Sequence, residues 1–115
     1  MVNEYGVKLD SNGYAPSVLQ PYILNPDAVH PYGDYCFLCC KTGDLARHEV
    51  FHGSNRQKSK ALGCWVLLCP ECHAKLHAKD STIDWSLKQV AQQIAMDNYG
   101  WTVDDFRIRF GRSYL

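Results

Sequence analysis

No run of apolar residues in this 115-residue chain approaches the roughly 20 that a helix needs to cross a bilayer, so no membrane partner is expected. The opening Met-Val-Asn-Glu-Tyr-Gly lacks a basic-then-apolar leader, and a cytoplasmic protein is expected. Repeats and low-complexity stretches are missing too, which sets aside solenoids and biased tails. There is no room for two independent cores, so residues 1–115 read as a single domain. A chain this small gains from a staple. Six cysteines can provide one, and in a reducing compartment they point to metal rather than disulfides.

The chain also has no net charge, but the balance is uneven. Residues 1–35 carry Lys8 against Glu4, Asp10, Asp27 and Asp34, a net −3. Residues 36–79 carry Lys41, Arg47, Arg56, Lys58, Lys60, Lys75 and Lys79 against Asp44, Glu49 and Glu71, a net +4. The remaining residues sum to −1. The positive excess suits the approach of a polyanion, and solvated surface lysines are the competing account.

Residues 1–35 hold Pro16, Pro21, Pro26 and Pro31, which rules out a long helix and predicts an extended arm over the core or partial disorder. Val18, Leu19, Tyr22, Ile23 and Leu24 favour packing of that arm. Residues 36–41 read as a zinc knuckle, 45–51 as a strand, 52–60 as a polar loop and 64–68 as a second strand. Pro70 is suited to the first turn of a helix bearing Cys72, His73 and His77, and the two histidines, four apart, share one of its faces. Residues 80–115 read as helical, with a capping-box-like start at 81–84 and another short helix opening at Thr102. The fold class expected is α+β: a small zinc-stabilised ββα core over 36–79 with an N-terminal arm and C-terminal helices.

Cys36, Cys39, Cys69 and Cys72 form two C-x2-C pairs with 29 residues between them. Four thiolates satisfy zinc completely and leave no open position, so the expected site is structural. Four unrelated buried thiols are the alternative. Cys40 offers a poorer spacing, and Cys64 reads as a small core residue. A two-Cys two-His finger from Cys69, Cys72, His73 and His77 fails, because Cys72 and His73 are adjacent and point about 100° apart on a helix. A second ion held by His73, His77 and a hairpin residue such as His48 is more coherent, although each histidine alone could be an ordinary core or surface residue.

Arg47 to Gly53 (RHEVFHG), Asn55-Arg56, Ser59, Gly63, Leu68 to His73 (LCPECH) and His77 together resemble the HNH endonucleases, most closely their phage and prophage group. Residues 9–17 and 110–115 resemble that group more loosely, so the likeness spans most of the chain and is sharpest over 36–77. The resemblance implies a ββα-metal, treble-clef-like site in which His48, His73 and His77 hold a catalytic divalent ion (Mg2+, Mn2+, Ni2+ or Zn2+) beside the structural Zn2+. It also implies a hydrolase that cuts DNA phosphodiester bonds and leaves 5′-phosphate and 3′-hydroxyl ends.

Glu49 stands where most of the family place a histidine base. Three assignments follow: Glu49 is the base; His48 is the base with Glu49 near the metal; or His52 substitutes. The first is favoured, since neighbouring strand residues face opposite sides. Cys64 occupies the usual place of the middle asparagine, with Asn55 as a stand-in. Arg47, Arg56, Lys58 and Lys60 are the expected phosphate contacts, which carry no sequence information. The rivals are a non-catalytic zinc-binding module that recognises DNA or protein, and an accessory protein of phage packaging. Oligomeric state and target sequence are not written in the chain.

Overall fold

The computed structural model describes residues 1–22, 33–79 and 81–115. Two short strands, β1 (Ala46–Glu49) and β2 (Trp65–Leu68), pair antiparallel, with Arg47 opposite Leu67, His48 opposite Val66 and Glu49 opposite Trp65. The pleat gives the hairpin two unlike faces. His48, Val66 and Leu68 are buried, whereas Arg47, Glu49, Trp65 and Leu67 are only partly covered or exposed. Both strands are shorter than expected, although the Val50 N–H still donates to the Cys64 carbonyl at 3.0 Å.

The connection at 52–60 is not the expected polar loop. A 3-10 turn (Gly53–Asn55) runs straight into α1 (Arg56–Ala61). Arg, Gln, Lys and Ala are good helix formers, but the helix buries only Ser59 and so shows no apolar stripe to read. Ser59 Oγ donates to the Cys64 carbonyl at 2.6 Å and accepts the Phe51 N–H at 3.2 Å, which closes the long hairpin connection from inside.

Beyond β2 comes α2 (Pro70–His77), with Cys69 as its N-cap: the Cys69 sulfur accepts the Cys72 N–H at 3.5 Å, and Pro70 occupies the first turn. Next come α3 (Ile83–Tyr99) and α4 (Val103–Phe110). The capping box expected at 81–84 is absent, because Thr82 makes no side-chain cap bond; Ser81 Oγ instead accepts the Ile83 N–H. A full box does form one helix later, between Thr102 and Asp105. These helices close the core on Phe51, whose ring lies 5.2, 4.7 and 5.7 Å from those of Phe106, Phe110 and Tyr114. Gln92 is fully buried but satisfied: its amide donates to Ser113 Oγ at 2.8 Å and accepts the Tyr114 N–H at 2.7 Å.

The arm lies over the less covered face of the hairpin. The Ala15 and Val18 N–H groups donate to the Lys60 and Gly63 carbonyls at 3.0 Å, and Trp65 Nε1 donates to the Ala15 carbonyl at 2.8 Å. Gly63 is required at this contact. Its φ is +70°, and a Cβ there would lie 2.3 Å from the Pro16 carbonyl oxygen. Leu19 is fully buried and Val18 packs against the core, whereas Tyr22 is half exposed and does not anchor the arm. Ile23, Leu24, Pro26 and Pro31 lie outside the described residues. Among the described residues no helix is long and apolar enough to cross a membrane.

Candidate functional site

The first cysteine pair sits on a tight turn closed by the Cys36 N–H to the Lys41 carbonyl and the Cys40 N–H to the Cys36 carbonyl, both 2.8 Å. The second pair straddles the junction of β2 and α2. The structure brings the sulfurs of Cys36, Cys39, Cys69 and Cys72 within 4.8 Å of one another, with Cys39 and Cys69 at 3.6 Å. A disulfide would need about 2.05 Å. Zinc–sulfur bonds of about 2.3 Å in a tetrahedron place sulfurs about 3.8 Å apart, so the quartet has the donors and spacing of a structural zinc site. Burial raises the Cys36 thiol, but backbone amides of Cys69, Cys39 and Leu38 outweigh it and bring the thiol down to about 7. Cys72 is pushed upward by burial and by the neighbouring sulfurs. Cys40 is outside the quartet, and Cys64 is a buried thiol raised to about 12 by burial alone.

A second cluster lies on another face of α2. His48 from β1 meets His73 and His77 from the helix, with one nitrogen of each ring within 4.8 Å of the others and ring centroids 4.8 to 5.5 Å apart. Cys72 and His73 are consecutive yet serve different clusters, as the 100° step of a helix requires. Burial, with help from the other histidines, lowers His48 to about 4, so its ring is neutral near pH 7 and keeps a lone pair for a cation. His73 is lowered by burial and by His77. His48 Nε2 is buried with no hydrogen-bond partner among the described residues. Leaving a polar atom so costs on the order of 1–3 kcal/mol, a cost that a bound cation removes. The donor set therefore fits a divalent ion.

A cavity of about 300 Å3 opens on this cluster, lined by Arg47, His48, Glu49, His52, Arg56, His73 and His77. Within it Glu49 Oε1 accepts the Tyr14 hydroxyl at 3.0 Å and lies 4.0 Å from Lys60 Nζ. His52 Nε2 is 3.3 Å from Asp84 Oδ1, and Asp84 also pairs with Lys88 at 2.9 Å. The expected phosphate contacts have diverse placements. Arg56 is exposed on the cavity wall. Arg47 lines the cavity but bonds Asp10 at 3.0 Å and stacks over Tyr14 and Trp65 at 4.3 and 4.9 Å. Lys58 Nζ donates to the Arg109 carbonyl at 2.6 Å. Asn55, weighed as the middle asparagine, donates to the Phe110 carbonyl at 2.9 Å. Asn55 and Lys58 thus satisfy carbonyls at the end of α4.

Tyr14 and Asp84 were not among the expected site residues. Tyr14 is carried by the arm, and its contact spans 35 positions. Asp84 had a visible partner in Lys88 four residues on, but nothing in the sequence pairs it with His52 across 32 positions.

Scans of family models, curated proteins and solved structures found no match. What the chain possesses is a ββα-like core carrying a four-cysteine and a three-histidine cluster, an arrangement compatible with a nuclease-like or metal-binding module.

Proposed function

We propose that the chain is a metal-dependent endonuclease of the HNH type that hydrolyses DNA phosphodiester bonds. One observation carries the reading: a hairpin imidazole and two helical imidazoles converge on an open cavity that also holds a carboxylate, beside a separate thiolate quartet. In this reading Cys36, Cys39, Cys69 and Cys72 hold a structural zinc, and His48, His73 and His77 hold an exchangeable divalent ion. Such an ion supplies Lewis-acid stabilisation of charge on the phosphate and the leaving oxygen. Glu49 takes a proton from the attacking water as the new P–O bond forms and the P–O3′ bond breaks. Arg56, exposed on the cavity wall, is the phosphate contact in this reading. The burial of His48 and the lone Nε2 favour ligation over base work for that residue.

A second reading, a zinc-binding recognition module without catalysis, draws on the inward commitment of Arg47, Lys58 and Lys60, three of the four expected phosphate contacts. Plasmid nicking with magnesium or manganese separates the two. The endonuclease reading expects nicks from the wild type and none from His73→Ala, with zinc plus an exchangeable ion in each chain. One zinc per chain and no nicks from either protein favours the module.

A further inference from the structure

We infer that Tyr14, delivered by the N-terminal arm, is a positioning residue for Glu49, so that residues outside the ββα core complete the reaction site. This rests on the endonuclease reading above, with Glu49 as base.

A glutamate at the base position brings a problem of its own. Its carboxylate hangs from three rotatable bonds, and a misplacement of about 1 Å can cost on the order of 100-fold in rate. Here the carboxylate is tied down. The Tyr14 hydroxyl donates to Oε1 at 3.0 Å, Lys60 Nζ lies 4.0 Å from the same oxygen, and the Glu49 side chain is only 14 % exposed. Both partners act on Oε1, and no hydrogen bond or ion pair engages Oε2 among the described residues; Glu49 also lines the cavity.

Tyr14 is itself fixed on every side. Its N–H donates to Asp10 Oδ1 at 3.0 Å. Its ring meets Trp65 edge-on at 5.6 Å, with the Arg47 guanidinium at 4.3 Å and the Lys60 ammonium at 4.9 Å. The next residue, Ala15, is bonded to Lys60 and Trp65 by its own backbone. The arm therefore does more than cover the hairpin: it presents one hydroxyl to Glu49, the carboxylate that lines the cavity among the described residues. Arg47 and Lys60, expected to hold phosphate, instead brace the tyrosine that holds Glu49.

The test is Tyr14→Phe, which keeps the ring and its cation and Trp65 contacts and removes only the hydroxyl. Plasmid nicking with manganese is measured for wild type, Tyr14→Phe, Glu49→Gln and the double variant, alongside urea unfolding of the same four proteins. The expected result is a kcat lowered about tenfold in Tyr14→Phe with KM for DNA unchanged, and no further loss when the change is added to Glu49→Gln. The unfolding midpoints should be non-additive, since the two side chains touch. Full activity in Tyr14→Phe, or an equal loss in the Glu49→Gln background, overturns the inference and leaves the endonuclease reading intact. A wild type that never nicks sinks that reading first and reduces Tyr14 to a structural clamp. Additive midpoints would show that the contact itself carries no energy, and would overturn the inference whatever the activity.

Discussion

The two donor clusters grow from the same turn of α2, on consecutive residues, yet they are built to opposite ends. The cysteine quartet is assembled from a tight turn and the β2–α2 junction, and its four sulfurs are a complete set for zinc. The histidine trio leaves positions open. His48 is buried at its base, His73 is half-buried, and His77 is exposed at the mouth of a cavity that also holds Glu49 and Arg56. A complete thiolate set suits holding a fold together; an incomplete imidazole set beside a carboxylate suits exchange and chemistry. One helix can carry both because its 100° step points neighbouring side chains into different spaces.

That division can be broken most severely at the quartet. Cys69→Ser should abolish tight zinc binding and the fold with it, since structural zinc is worth about 10 kcal/mol or more in small domains; zinc content and circular dichroism check this. His73→Ala should do the reverse, keeping zinc and helical signal while lowering nicking at least ~100-fold. If His73→Ala unfolds the chain, the division is wrong.

Gly63→Ala gives a smaller effect confined to the arm. The left-handed backbone and the approach to Pro16 predict a loss of roughly 1–3 kcal/mol in urea unfolding, with zinc still bound. Acid should next distinguish the clusters in protein that keeps its zinc but carries no second ion. The folded chain holds His48 near 4 against an ordinary 6.5, so between those values the unfolded chain binds the extra proton. Stability present above about 6.5 is therefore lost as pH falls toward 4, and His48→Gln should flatten that part of the Tm profile. The smallest expected effect concerns DNA affinity. Arg56→Ala should weaken binding a few-fold and shallow its salt dependence by about one charge, whereas Lys58→Ala should leave the salt slope unchanged.

Much of this was legible from spacing. The C-x2-C pairs, the i,i+4 histidines and Pro70 ahead of them describe a turn, a strand end and a helix start, because ligand geometry constrains local sequence tightly. Two parts were not. Helix α1 buries a single serine and gives no apolar period, so its polar residues read as a loop. Tyr14 and Asp84 reach the cavity residues Glu49 and His52 across 35 and 32 positions through packing, which no local pattern encodes. The roles expected of Lys58 and Lys60 rested on charge alone, and charge does not say which way a long side chain turns.

Phe51 stands only two residues past Glu49, and its ring is gripped by Phe106, Phe110 and Tyr114. The C-terminal aromatics thus act as a vice on the strand that bears His48, and slack introduced far away, at Gln92 or Ser113 for instance, would be felt at the imidazoles as lost alignment. Variants distant from both clusters would therefore disturb the histidine trio while leaving each of its three residues untouched.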